Sequence, residues 1–405
     1  MAARWPLKVT DYFKEVEDPR RDHGKRHELL DVLILSLSGF LCGAESWVDV
    51  ADYARTKQEW FETFLDLPSG IPSHDTFDRI FRLLDPDQLM SALQRWLEDM
   101  AADIRGLKKE QIALKKEQIA IDGKTLRGSI DRVTGQAPWM MVSAWAVEHG
   151  LVLGQVAASG ETGELKAIPP LLDLLSLKGH IVTLDALGCQ KEIAAKIREN
   201  EGDYVMSLKQ NHPTLEQAVR ERFQEGLLKD FHGMKHQRHD DNELEHGRLM
   251  RRCCDVLYEV DDLPGIDQWA GVKAIAVMHT EQVRGINTKQ PRQHQGQRLF
   301  LSSVALSASQ MAQVIRRHWH VENQLHWQLD VHLREDLSRV RRDHGPANLA
   351  ALRRLTISLG KRIDPKVSHR RKVKIAGWSN DYLVQLLTQQ STPAPASKAS
   401  RKPRK

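Results

Sequence analysis

Two short apolar runs that each stop on a carboxylate constrain this chain more than any other feature. Ile119-Ala120-Ile121 ends at Asp122, followed by Gly123 and the cations Lys124 and Arg127; Ile181-Val182-Thr183-Leu184 ends at Asp185. Apolar runs of this kind read as strands buried on both faces. In open α/β sheets, ligands bind just beyond the carboxyl ends of such strands. Two acids at two strand ends are therefore candidates for a catalytic or metal-binding site.

The surrounding pattern predicts the sheet. Residues 139–147 and 151–158 are apolar runs flanking Glu148-His149-Gly150, which reads as a hairpin. Helical spacing covers 168–177 and 190–199, and 204–208 is a fifth strand. The order β-β-β-α-β-α-β specifies an α/β fold, a mixed sheet flanked by helices. Ahead of it, residues 1–105 read as an N-terminal helical domain. Pro72-Ser73-His74-Asp75-Thr76 is an N-cap signal there, and Phe77, Ile80, Phe81 and Leu84 form the next apolar stripe. That helix is either a DNA reader or simple helical packing. A linker over 106–118 contains Leu-Lys-Lys-Glu-Gln-Ile-Ala, which occurs at 107–113 and again at 114–120.

With the first part of the core at 119–208, residues 209–298 break the rhythm. They are polar and rich in His and Arg, with short β-like pieces, and read as an inserted β-leaning subdomain. The second part of the core, 299–360, holds one long helix expected over 309–342. Glu322 lies on it beside the stripe Val314, Val321 and Leu325, with His318 and His326 one turn away. A carboxylate in such company is costly unless compensated, and a cation is the obvious compensation. His318, His320, His326 and His332 have no cysteine beside them, so helix packing is favoured over a zinc site. Trp319 and Trp327 read as core.

Charge is informative where it clusters. The formal charge is only +5 over 405 residues, but 361–374 carries seven Lys and Arg against Asp364 alone, and the tail adds five more cations with no acid. The basic segment 361–405 suits a polyanion partner. Cys42, Cys189, Cys253 and Cys254 form no CxxC pair and read as reduced thiols of a cytoplasmic protein. The start does not resemble a signal peptide, and the longest apolar run, 32–42, is too short for a bilayer, which needs ~20 residues.

Three carboxylates held together cannot all stay ionised without positive charge. Mg²⁺ takes oxygen ligands and bridges substrate phosphate. Two such ions stabilise the attacking and leaving oxygens of an in-line displacement. Asp122, Asp185 and Glu322 would then form a site that cuts or joins phosphodiesters.

Longer motifs carry a resemblance. They are Gly70-Ile71-Pro72-Ser73-His74-Asp75-Thr76-Phe77, the run Ala120 to Ser129, Val182-Thr183-Leu184-Asp185-Ala186-Leu187-Gly188-Cys189-Gln190, Asp203-Tyr204-Val205 with Leu208-Lys209-Gln210-Asn211, His246-Gly247-Arg248, and Arg317 to Trp327. In this order, over about 10–390, the chain resembles DDE transposases of bacterial insertion sequences, in the branch with the H-repeat-associated proteins of Rhs elements. The resemblance implies an RNase H-like core, with Asp122, Asp185 and Glu322 as catalytic and metal-binding triad. It implies two Mg²⁺ ions, with Mn²⁺ as substitute. It also implies cleavage of double-stranded DNA at element ends and strand transfer to target DNA by a homodimer, working without a membrane in the cytoplasm and at the nucleoid. Lys124, Arg127, Lys209, His246, Arg248, Arg251 and His318 are the expected DNA contacts. Where wider relatives carry a Tyr, an Arg and a Lys around the final Glu, this chain has Ile315, His318 and Leu329; Glu161 and His212 also depart from the pattern. Those departures support the alternative, a catalytically impaired remnant that only binds DNA.

Overall fold

The computed structural model describes residues 8–21, 25–108, 116–159, 163–245, 248–284, 292–364 and 366–389. His246, Glu161, the basic tail from 391 and the first heptapeptide copy beyond residue 108 lie outside them. The chain divides into two compact units, 97–341 and 1–96 with 342–405.

The larger unit is built on one mixed sheet. Its first five strands are β1 (Glu117–Thr125), β2 (Trp139–Ala146), β3 (Leu151–Ser159), β4 (His180–Leu184) and β5 (Asp203–Leu208). They lie in the order β3-β2-β1-β4-β5, with β1, β4 and β5 parallel and β2 and β3 antiparallel. This is the RNase H-like order that the sequence predicts. It follows from connection chemistry: the tight Glu148–Gly150 turn joins antiparallel strands, whereas the helices Gly163–Asp173 and Lys191–Glu199 supply the crossovers that parallel neighbours require. Every residue of β4 and β5 is buried, as expected of central strands covered on both faces. The second heptapeptide copy supplies the start of β1.

The insertion is less separate than its composition implies. It opens with a helix, Pro213–Leu228, rather than with β structure. Pro213 sits in its first turn, where no backbone N–H is needed, and Leu215, Val219 and Phe223 recur every four residues on its buried face. Then β6 (His236–Glu245), β7 (Arg248–Leu257), β8 (Ala274–Arg284) and β9 (Arg292–Ser302) form an antiparallel meander. β9 pairs antiparallel with β5, so the meander extends the core sheet to nine strands, in the order β3-β2-β1-β4-β5-β9-β8-β7-β6.

The long helix expected over 309–342 is broken. A regular helix, Ala308–His318, starts on a Ser307–Gln310 capping box. A π-helical turn, Val321–His326, follows, then a short helix, Trp327–Val331. Trp319 and Trp327 are 40% and 53% exposed, so they are surface residues rather than core.

In the smaller unit, Ser73 caps the helix His74–Leu83 as its sequence predicts, its Oγ accepting from the Thr76 N–H. Phe77, Ile80 and Phe81 are buried. The helix Gly345–Arg362, grouped by sequence with the catalytic core, belongs to this unit. Its Asn348 side chain donates to the carbonyls of Phe81 (2.7 Å) and Leu84 (2.9 Å), satisfying acceptors where the earlier helix ends. The basic segment is partly buried. Lys372 is only 4% exposed, donates to the Gly360 carbonyl, and burial lowers its pKa to about 8. It is a packing residue rather than a surface cation.

Candidate active site

Asp122 projects from β1, opposite Ser143 of β2. Asp185 follows the last residue of β4, and its Oδ1 accepts from the backbone N–H groups of Leu187 (2.8 Å) and Gly188 (3.1 Å). These bonds make an Asx-type turn that fixes the carboxylate at the strand end. Glu322 arrives on the π-helical turn. There the Trp327 N–H bonds to the Glu322 carbonyl, five residues back, the bond that defines the widened turn. Glu322 and His326, four residues apart, both face Asp122. His326 Nδ1 lies 3.5 Å from Asp122 Oδ2 and 3.6 Å from Glu322 Oε2. One ligand atom from each of Asp122, Glu322 and His326 falls within 4.8 Å of the other two. Asp185 stands outside that trio but close enough for its charge to act on Asp122.

A fourth acid joins them. Glu164, in the first turn of the helix after β3, reaches across to β1 and accepts a hydrogen bond from the Gly123 backbone. A side chain at position 123 would put its Cβ 2.7 Å from Glu164 Cδ, so glycine after Asp122 leaves room for this carboxylate. Sequence reading missed Glu164 because no apolar run points to it. Its signal was the unexplained glycine of the Asp122-Gly123 pair.

The electrostatics follow from this crowding. Burial, then the charges of Glu164, Glu322 and Asp185, push the Asp122 carboxyl up to about 8. Burial and Asp185 raise Glu164. Glu322 is lowered, chiefly by its hydrogen bond with His326. The acids therefore outweigh the positive charge that reaches them, and Asp122 retains a proton near neutrality. A divalent cation fits that demand. The donors are carboxylates and one imidazole, as hard or borderline ions require.

Lys124 is not a surface cation, although its charge helps to lower Glu322. It is 8% exposed and its Nζ lies 2.8 Å from Asp330 and 3.1 Å from Asp336. Arg127 is exposed and 3.5 Å from Asp336. Gly128 packs so closely on the same turn that an added Cβ would lie 1.9 Å from the Ser338 carbonyl oxygen. The motif after Asp122 thus ties the segment that follows Glu322 to β1. Lys124→Ala removes the buried cation between Asp330 and Asp336, leaving only the exposed Arg127 beside Asp336, and should destabilise the protein by about 1–2 kcal/mol, the two acids being partly solvated. A urea melt measures this, and an unchanged midpoint refutes the tie.

The other expected DNA contacts divide. His318 is buried, bonds Thr183 Oγ1 at 3.0 Å, and burial lowers its pKa to about 4; it is a neutral packing residue, not a cation for DNA. Lys209 lines an open cleft with Asp185, Arg298 and Trp319, and the Arg298 guanidinium stacks 4.7 Å over the Trp319 ring. Arg248 and Arg251 are exposed or partly exposed on β7, Arg251 3.5 Å from Glu281. Ile315 and Leu329 are buried core.

Comparison with known proteins gives the family. Residues 113–359 match a family described as "Transposase DDE domain", and 10–97 match one described as "DDE_Tnp_1-associated". "Putative protein YbfL" of Escherichia coli K12 is 34% identical over 94% of this chain and 97% of its own length. "H repeat-associated putative transposase YhhI" of the same strain is 33% identical over the same shares. "Putative transposase YncI" of Escherichia coli O157:H7 is 31% identical over 94% of each chain. A cryo-EM structure of a piggyBac transposase synaptic complex with hairpin DNA is similar over 96% of this chain and 79% of that one, at 12% identity and TM-score 0.38, too distant to carry the argument. The family match spans the sheet and all four acids, and the chain belongs to the DDE transposase family.

Proposed function

We propose that the protein cuts the ends of an insertion sequence and joins them to target DNA, with Asp122, Asp185 and Glu322 holding two divalent ions against the scissile phosphate. The observation that carries this reading is the convergence of Glu322, Glu164 and Asp185 on Asp122, whose carboxyl is raised to about 8 by burial and then by those three charges. Such a cluster is unfavourable in an idle protein and useful around cations. When bound, Mg²⁺ or Mn²⁺ supplies charge that stabilises both the entering and the departing oxygen. The residues do the rest. The Asx-type turn holds the Asp185 oxygens at the strand end, the π-helical turn presents Glu322, and the Lys124 ion pairs keep that turn on β1. Water attacks phosphorus, the P–O3′ bond breaks, and the departing 3′-oxygen takes up a proton while the water gives one up; the freed 3′-hydroxyl then attacks a phosphodiester of target DNA, forming a new P–O3′ bond as the target's own 3′-oxygen leaves as a hydroxyl.

Lys209, Arg298 and Arg248 supply cations for the DNA backbone. Two element ends acting together call for two copies of the chain, in the cytoplasm where the nucleoid lies. All four acids and their packing are intact, which favours this reading over a remnant that only binds DNA. Purified protein with Mg²⁺ and DNA bearing the element's terminal repeats should yield nicked ends and joined product. Retarded DNA with neither product, in Mg²⁺ or Mn²⁺, would leave only the binding reading.

A further inference from the structure

We infer that His326 is itself a ligand of the ion that Asp122 and Glu322 hold, so that this metal position carries one nitrogen donor and is biased away from Mg²⁺ toward transition ions such as Mn²⁺. The inference rests on the proposed metal-dependent reading of the same site and adds to it a donor and a metal preference.

The geometry is specific. His326 is 6% exposed, so its ring meets neither bulk solvent nor DNA. Its Nδ1 points between the two acids, 3.5 Å from one and 3.6 Å from the other. Cis ligands of a six-coordinate ion with ~2.1 Å bonds stand about 3 Å apart. Shifts of about half an ångström would therefore bring the imidazole nitrogen to cis-ligand spacing from each acid, and all three ligand atoms already lie within 4.8 Å of one another. The π-helical turn carries both Glu322 and His326, so Glu322 cannot approach the ion without bringing the imidazole with it. Lys124 is engaged with Asp330 and Asp336 and does not compete for the acids. His318, the other nearby ring, directs Nδ1 to Thr183 instead. Mg²⁺ favours oxygen donors almost exclusively, whereas imidazole suits transition ions. A single imidazole therefore changes which metal the site selects.

The test is spectroscopic and needs no DNA. Mn²⁺ is titrated into the full-length protein and the bound ion is examined by electron spin echo. The expected result is nitrogen-14 modulation that disappears in His326→Gln and persists in His318→Gln. Mn²⁺ affinity in His326→Gln should fall about tenfold or more, while Mg²⁺ affinity, measured by competition, changes far less. Bound Mn²⁺ without nitrogen modulation in the unaltered protein overturns the inference and leaves the reading of the acids standing. Mn²⁺ that fails to bind, or binds equally to Asp122→Asn, overturns that reading as well. The unaltered protein's spectrum decides even if the His326 variant fails to fold.

Discussion

Asp122→Asn, Asp185→Asn and Glu322→Gln should each slow cleavage of terminal-repeat DNA by roughly a thousandfold or more, without loss of DNA binding. With cations bound, each change would remove one negative charge from the cluster proposed to hold them at the phosphate, and it does so without changing side-chain volume. Losses of this size are ordinary when a preorganised charge at the reacting centre is removed. Double variants should be little worse than single ones, because the acids act as one unit. Glu164→Gln should fall between these variants and the unaltered protein, since Glu164 adds charge beside Asp122 and Asp185 without belonging to the triad. Single-turnover cleavage with gel retardation in parallel measures both quantities. Activity surviving Asp185→Asn would remove the basis for the triad, because Asp185 already stands apart from the trio of Asp122, Glu322 and His326.

The metal-free protein should lose stability as pH rises from about 4 to about 8, and Asp122→Asn should abolish much of that loss. Asp122 has an ordinary carboxyl pKa of 3.8 when unfolded and about 8 when folded. A raised folded pKa means that the native state binds the extra proton. The associated stability is fully present below the unfolded value and is lost as pH passes through the folded one. At pH 8.5 the variant should therefore be more stable than the unaltered protein, by on the order of 3 kcal/mol after allowance for solvent screening. At pH 4 the two should be close. The same linkage makes Mn²⁺ or Mg²⁺ displace a proton near pH 7, so metal affinity should climb until about pH 8. Melting curves with chelator at several pH values check the first point. Parallel curves for the two proteins across that range would refute it.

The fold was legible where burial leaves an unbroken apolar signature. β1, β4 and β5 are buried strands and announce themselves as such, and the hairpin follows from Glu148-His149-Gly150. Asp122 and Asp185 were legible for the same reason, as the residues where those runs stop, but only Asp185 stands at a strand end, because β1 continues past Asp122 to Thr125. Three features were not. The helix Pro213–Leu228 was hidden by the polar residues between Leu215, Val219 and Phe223. The π-helical turn leaves no mark in apolar spacing, so the sequence reads as one straight helix through Glu322. Lys124, Lys372 and His318 look like surface cations because residue type does not reveal a buried partner or a lost proton. Glu164 was invisible until Gly123 was seen to make room for it.

If the protein cuts DNA as proposed, the union of β9 with β5 bears on when it would become dangerous to its own cell. A chain still emerging from the ribosome exposes both aspartates early. The glutamate follows β9 in the chain, and the β9–β5 pairing joins segments almost a hundred residues apart, a slow kind of contact. On the proposed function, the growing polypeptide would be unarmed until that pairing closes, and an interrupted translation product ending within the meander, holding two of the three acids, would not cut.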